Sequence, residues 1–236
     1  DKSLSIRWAM LASQAIGRSI ASNLPNSEDV NSTIGCLKKL GIKIIKKKSA
    51  CEIYGNGLNG FNYKKNITIN AGNSGTCGRL ILGLLVASKK KIKIIGDKSL
   101  SSRDFSRVTL PLKKFGAKFF PLKKKKLPIS ILGSSFTRPI NYLENIGSAQ
   151  CKSSIMLAAL NTPGKTIIKA KKSRNHTELL FKNLKIPIKI KKKEKYDLIE
   201  VEGKKNFRSF NYKIPGDISS SAFFIILTLI SKNSQL

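Results

Sequence analysis

Three short stretches of the chain place small hydrogen-bonding residues a few positions before a base: Ser3 with Arg7, Ser74 with Arg79, and Ser148 with Lys152. Each leads into an apolar run of helical character, WAMLA, LILGLL and IMLAAL. The first turn of a helix presents unpaired N–H groups and about half a positive charge, so it binds phosphate or carboxylate wherever no bulky side chain blocks the approach. Nothing bulky stands here. Ala71-Gly72-Asn73-Ser74-Gly75-Thr76 offers glycine, hydroxyl and amide groups, and Gly147-Ser148-Ala149-Gln150 repeats that chemistry. The run GNSGTCGR lacks the Gly-Lys-Ser/Thr of a P-loop and does not match GxGxxG, so a nucleotide site is not indicated. The ligands these stretches suit are small phosphorylated or carboxylated acids.

Other chemistries are poorly served. The single histidine, His176, cannot assemble a zinc site, and Cys36, Cys51, Cys77 and Cys151 show no CxxC spacing, so neither metal nor cofactor is expected. Unevenly spaced and with no secretory leader ahead of them, the cysteines read as reduced thiols of a cytoplasmic protein. His176 falls in the first turn of a predicted helix and reads as a helix-end hydrogen-bonding group rather than a general base. Asp29, Asp97, Asp104 and Asp217 lie at turns or helix starts and read as caps. Trp8, Gln14 and the pair Phe223 and Phe224 read as packing residues.

The elements that must position these starts recur along the chain. With Ser219 before AFFIILTLI as a fourth start lacking a base, the starts are 71, 74 and 71 residues apart. Between them lie SEDVNSTIGCLKKLGIKI, SSRDFSRVTLPLKKFGAKF and SRNHTELLFKNLKIPIKI, which begin at Ser27, Ser101 and Ser173 and are offset by 74 and 72 residues. Each of these has a serine as predicted N-cap, apolar residues at helical spacing, then Gly or Pro, then an alternating strand. The first-type helices also run into β-branched stretches at 92–95 and 166–168. One unit therefore reads strand, helix, strand, helix, then one or two strands, and three such βαβαββ units make an α/β fold. Equivalent helix starts gather around a pseudo-symmetric centre, so the anion-seeking turns are expected in one cleft. Lys213-Ile214-Pro215-Gly216-Asp217 marks the beginning of a fourth unit.

The 236 residues include 45 Lys+Arg against 13 Asp+Glu, a formal net charge of +32, and 41% apolar residues, enough for the core of one domain or slightly more. The longest strongly apolar run, 222–230, is far shorter than the roughly 20 residues a membrane-spanning helix needs. Only eight of the 45 bases are arginine, and lysines cluster at 46–48, 89–91 and 123–126. That pattern reads as solvated turns and strand ends; a basic nucleic-acid-binding α/β domain is the competing reading. The charge also draws in small anions. The chain opens at Asp1 without Met, with Lys2-Ser3 directly at a helix start, and closes a few residues after an apolar stretch, so it reads as a fragment.

Six motifs, in order, resemble the enolpyruvyl transferase family: DKSLSIRWAMLAS, AGNSGTCGRLILGLL, GDKSLSSRDFSRVTLPLKKFGA, GSAQCKSSIMLAAL, SRNHTE and PGDISSSAFF. Lys2-Ser3 and the SAQ segment favour the branch acting on shikimate 3-phosphate. The branch acting on UDP-N-acetylglucosamine has Lys-Asn at the first motif and lacks the SAQ-type segment. The resemblance implies a two-domain fold, an inside-out α/β barrel, with three βαβαββ units per domain and the active site between domains. On that plan residues 1–8 belong partly to the second domain, 9–213 form one whole domain, and 214–236 begin the second. The implied reaction moves the enolpyruvyl group of phosphoenolpyruvate to the 5-hydroxyl of shikimate 3-phosphate, in the shikimate pathway to aromatic amino acids. Those two acids are the implied partners of a monomer, with no nucleic acid and no membrane.

Residue by residue, the resemblance implies that Lys2 contacts both ligands and that Ser3 and Arg7 hold shikimate 3-phosphate. Gly75, within the stretch Asn73, Ser74, Gly75 and Thr76, would hold phosphoenolpyruvate together with Arg103. Ser148, Ala149 and Gln150 would hold shikimate 3-phosphate, Gln150 also reaching phosphoenolpyruvate. Ser173 and Arg174 would approach the shikimate phosphate, and Arg79 would support from behind. Two residues depart from the family pattern: Asp104 stands where Pro is usual, and Ala149 replaces a serine found in some members. Gly75 is the small residue linked in the family to glyphosate sensitivity, so a sensitive parent enzyme is expected. The family's acid and base residues lie beyond Leu236, so no catalytic residue is expected here, and binding can survive without turnover.

Overall fold

The computed structural model describes residues 1–48 and 50–235. The first unit contains α1 (Lys2–Gln14), β1 (Ile16–Ser22), α2 (Glu28–Lys39), β2 (Lys43–Lys46) and β3 (Ala50–Asn56). The second contains β4 (Ile67–Asn70), α3 (Gly75–Leu84), β5 (Ile92–Ile95), a short α4 (Lys98–Ser102), α5 (Ser106–Lys114), β6 (Lys118–Phe120) and β7 (Ile129–Leu132). The third contains β8 (Asn141–Glu144), α6 (Ala149–Leu160), β9 (Lys165–Lys171), α7 (His176–Asn183), β10 (Ile188–Lys192) and β11 (Tyr196–Glu202), followed by β12 (Asn211–Lys213) and α8 (Ile218–Ile230). The expected α/β fold of three repeated units is thus present.

Each unit builds a four-stranded sheet of the same plan, ordered β12-β1-β3-β2, β4-β5-β7-β6 and β8-β9-β11-β10. The first pair in each is parallel and the rest antiparallel. The first sheet is completed from the far end of the chain: β12 lies parallel to β1, with Ile20 opposite Asn211, where β4 and β8 lie in the other sheets. A parallel pair needs a long crossover, and here the crossover is almost the whole polypeptide.

Helices α1, α3 and α6 carry apolar or small residues on every side, which is the pattern of a helix enclosed by protein. All residues of α1 from Ser5 to Gln14 are buried, and α3 and α6 are buried along nearly their full length. At Gly83 of α3 a β-carbon would lie 2.2 Å from the Ser154 carbonyl oxygen of α6, so only glycine lets these backbones approach so closely. Trp8, Phe105, Phe115 and Phe181 are among the largest fully buried side chains of the core. Helices α2 and α5 are amphipathic instead, burying Val30, Ile34 and Leu37, or Val108 and Leu112, and turning lysines to solvent in their last turns.

Several expectations are corrected. Asp217 caps α8 as expected, accepting from Ser219 and Ser220, whereas α1 starts at Asp1 rather than at Ser3, with Asp1 Oδ1 accepting from the Leu4 amide at 2.9 Å. A carboxylate two residues upstream supplies a stronger acceptor at the helix mouth than the serine inside the first turn. Ser101 is no cap, because Asp97 starts the short helix α4 and leaves Ser101 near its end. Ser173 is no cap either, since α7 begins after Asn175, whereas Ser27 caps α2 as expected. Asp29 does not cap but pairs with Lys2 at 3.2 Å. Phe223 and Phe224, read as packing residues, are 80% and 61% exposed, and no residue of α8 is buried.

Candidate anion-binding site at three helix starts

The first turns of α1, α3 and α6 open onto one cavity of about 390 Å³. Ser3, Arg7, Thr76, Ser148, Ala149, Gln150, Ser173 and Arg174 all line it. Asn73, Gly75 and Arg103 form an adjoining cluster on the outer side of α3: Arg103 Nη2 donates to Asn73 Oδ1 at 3.1 Å, and Gly75 lies against Arg103 and Arg79. The two groups are joined through Gln150, whose Oε1 accepts from Arg79 Nη1 at 2.9 Å and whose Nε2 donates to Thr76 Oγ1 at 3.0 Å. Lys2 stands apart from the cavity lining, with its half-exposed ammonium on Asp29.

Capping decides which amides are left for a ligand. Ser148 Oγ accepts from the Cys151 amide at 3.2 Å, and Ser74 Oγ accepts from the Cys77 amide at 3.1 Å. The carboxylate of Glu144, buried at the end of β8, accepts from the amides of Ile146, Gly147 and Ser148 at 3.1, 2.9 and 3.1 Å. Glu144 thereby fixes the loop that carries Ser148. The amides of Ala149 and Gln150, and those of Gly75 and Thr76, sit in the first turn, where no intrahelical acceptor exists, and face outward from the helix mouths.

The bases of the three repeats are not equivalent. Arg7 is the sixth residue of α1, Arg79 the fifth of α3 and Lys152 the fourth of α6. Each step of one residue turns the side chain by about 100° around the helix. Arg7 reaches the cavity, where its Nε, Nη1 and Nη2 donate to Thr177 Oγ1, the Ser3 carbonyl and Ser153 Oγ. Lys152 turns inward. Its ammonium is fully buried 2.6 Å from Glu178, so it is not the anion holder that its place in the repeat predicts. Its weak contact with the Ser173 carbonyl at 3.5 Å instead steadies the loop bearing Ser173 and Arg174.

The cavity carries unneutralised positive charge. Desolvation, reinforced by Arg174 and opposed by Glu178, lowers the pKa of Arg7 to about 10. Desolvation together with Arg107 and Arg103 lowers that of Arg79 to about 10. Both stay charged at neutral pH, each repelled by the arginines beside it, a repulsion that a bound anion relieves. Arg107, which sequence reasoning passed over, also lines the cavity. It is held by an unusual link: Pro111 has no N–H to give the Arg107 carbonyl within α5, and the Cys151 thiol of α6 donates to that carbonyl at 2.9 Å. Burial pushes the Cys151 thiol up to about 12, which keeps it a protonated donor.

His176, at the start of α7, lines the cavity beside Arg174. Its Nδ1 is buried without a partner, as is Ser173 Oγ, so the helix-end hydrogen-bonding role expected of His176 is not made at that nitrogen. Desolvation, then Arg7 and Arg174, draws its pKa below the ordinary value. No Asp or Glu lines the cavity. The site is thus built to hold and orient anions, with unfilled donors and several cations.

The family model described as EPSP synthase (3-phosphoshikimate 1-carboxyvinyltransferase) matches residues 1–235. The chain belongs to the EPSP synthase family. It is similar to the 3-phosphoshikimate 1-carboxyvinyltransferases of Caldicellulosiruptor saccharolyticus, 39% identical over 100% of this chain and 54% of that protein, and Streptococcus mutans, 38% identical over 100% of this chain and 55% of that protein. It also resembles the solved EPSP synthase of Acinetobacter baumannii, with a TM-score of 0.87 and 32% identity over 98% of this chain and 52% of that one. The chain spans about half the length of the curated relatives it matches. In this member of the EPSP synthase family, the departure at Asp104 leaves Arg103 in an extended conformation after α4. The Asp104 carboxylate accepts from the Ser106 amide, and its carbonyl accepts from Arg79 Nη2 at 3.3 Å.

Proposed function

We propose that this chain supplies one half of an enzyme that transfers the enolpyruvyl group of phosphoenolpyruvate to the 5-hydroxyl of shikimate 3-phosphate, releasing phosphate. Residues 9–213 would form the three-unit domain, with 1–8 shared with a second domain and 214–236 leading into it. The protein would act as a cytoplasmic monomer. One observation carries this reading: Ser3 and Arg7 of the first unit, Thr76 of the second, and Ser148, Ala149, Gln150, Ser173 and Arg174 of the third line a single cationic cavity at helix starts.

In this scheme the cavity takes shikimate 3-phosphate, its phosphate meeting Ser148, Ser173, Arg174 and the open amides of α6, with Ser3 and Arg7 on the opposite wall. Phosphoenolpyruvate takes the neighbouring cluster of Asn73, Gly75, Thr76 and Arg103, with Lys2 reaching both. Gln150 touches Thr76 and Arg79 at once, which suits a residue placed between two acids. Holding the acids in register is itself catalytic, by up to about 7–11 kcal/mol in favourable cases. The reaction also needs protonation of the methylene carbon and loss of the hydroxyl proton, work for carboxylates that the cavity lining lacks. The chain therefore binds and orients, and the proton chemistry falls to the second half.

Thermal unfolding of the chain with shikimate 3-phosphate, compared with shikimate, tests the assignment. Protection by the phosphate ester alone, abolished by Arg174→Ala, is expected. Equal protection by both compounds, or protection unchanged by the substitution, defeats it. Arg174 is the informative position because it is exposed, whereas Arg7 is buried and structural.

A further inference from the structure

A second cavity, of about 510 Å³, lies at the opposite ends of the same central helices. Leu84, at the end of α3, and Asn161, which closes α6, form part of its wall. Since α6 has 12 residues, about 18 Å of helix separates it from the helix-start cavity. Its size falls in the range of small-molecule sites, and none of the residues assigned above to substrate takes part in it.

The lining combines two chemistries. Phe61, Tyr63 and Phe136 supply aromatic faces, and Phe136 is 90% exposed, a large apolar ring held in water. Lys89, Lys90 and Lys204 supply positive charge, with no Asp or Glu in the lining. Lys90 is clasped to Tyr63: its ammonium donates to the Tyr63 carbonyl at 2.8 Å and lies 5.7 Å from the ring centroid. Lys204 is pinned at the rim by its own amide, which donates to the Leu160 carbonyl at 2.9 Å, and partial burial lowers its pKa.

At the inner wall stands Asn161, fully buried. Its Nδ2 donates to Gln14 Oε1 at 3.3 Å and its backbone carbonyl accepts from Thr137 Oγ1 at 3.2 Å, but Oδ1 has no partner. An unsatisfied buried amide oxygen costs about 1–3 kcal/mol.

From this arrangement we infer that the second cavity binds a small planar aromatic anion, its ring among Phe61, Tyr63 and Phe136 and its charge at the lysines. This site is independent of the enolpyruvyl-transfer reading.

The test is titration of the isotope-labelled chain, followed by amide NMR, with indole-3-acetate as the carboxylate probe and adenosine 5′-monophosphate as the phosphate probe. Neutral indole-3-acetamide and the non-aromatic carboxylate cyclohexaneacetate are the controls. At least one aromatic anion is expected to saturate at or below about 1 mM, shifting the Asn161 side-chain amide and the 134–137 loop, with both controls at least about tenfold weaker. Which anion binds distinguishes a carboxylate ligand from a phosphate ester. Lys204→Ala, at the rim, and Phe136→Ala, at an exposed ring, are each expected to weaken binding about fivefold or more, while Arg174→Ala leaves it unchanged. Failure of both anions to saturate, a control binding as well as its parent, or loss of binding in Arg174→Ala but not Lys204→Ala would each overturn the proposal.

Discussion

Arg7 has no carboxylate partner of its own: three neutral oxygens take its guanidinium hydrogens, and no salt bridge to it occurs among the described residues. His176 reports on the resulting field, because desolvation and then Arg7 and Arg174 hold its pKa below 6.5. With the lower value in the folded state, the unfolded chain takes up the proton first. The contribution of this group is therefore complete above pH 6.5 and is lost as the pH falls through the folded midpoint. NMR titration of the His176 ring should give a midpoint below 6.5 that moves upward when a phosphate-bearing ligand offsets the two arginines. A midpoint at or above the free-imidazole value, or one that ignores the ligand, contradicts the anion-site assignment. Lys152 and Glu178 present a different case, since both are buried and pair at 2.6 Å. Lys152→Met leaves an unpaired buried carboxylate and should cost about 3–5 kcal/mol in urea unfolding, whereas Lys152→Met with Glu178→Leu should recover most of that loss. Equal stability of the single and double variants would show that the pair is not coupled.

Two glycines in the same helix separate packing from binding. A β-carbon at Gly83 meets the Ser154 backbone oxygen at 2.2 Å, which cannot move without parting α3 from α6, so Gly83→Ala should destabilise by about 1–3 kcal/mol or more. At Gly75 the nearest atoms are the guanidinium tips of Arg79 and Arg103, at 2.8 and 3.2 Å, and flexible side chains can yield. Gly75→Ala should leave the unfolding midpoint nearly unchanged while weakening the phosphoenolpyruvate binding proposed for this cluster, a split that paired denaturation and binding measurements would reveal. The starts of α3 and α6 were legible in the sequence because glycine, hydroxyl and apolar run recur there 74 residues apart. The direction of each base was not, since a shift of one residue relative to the cap rotates the side chain by about 100° and sends Lys152 into the core. Nor was Glu144, whose role depends on a loop folding back over three amides, or the Cys151 link that completes the Pro111 gap in α5. A signal for that link does exist: a proline at the sixth helical position leaves an orphan carbonyl that something must satisfy.

At the scale of the molecule, the parallel partner of β1 lies about 190 residues away in β12, and local patterning carries no information on such a pairing. That closure delivers the chain to Asp217, whose Oδ2 accepts from the Lys2 amide at 3.1 Å while its Oδ1 caps α8, so the starts of α1 and α8 are tied together. Beyond that tie α8 is an apolar helix without a covering surface in this chain: Phe223, Leu229 and Ile230 are 80%, 79% and 75% exposed. A patch of that kind favours association, and the net charge of +32 opposes it. The balance depends on salt, because the screening length shortens from about 10 Å at 0.1 M to about 3 Å at 1 M while apolar attraction persists. Analytical ultracentrifugation should therefore find the chain mainly dispersed at low salt and increasingly self-associated as salt rises. Phe223→Ser with Leu229→Ser should keep it dispersed throughout. If association instead weakens with salt, charge pairing drives it, and α8 is not the adhesive surface that its exposure indicates.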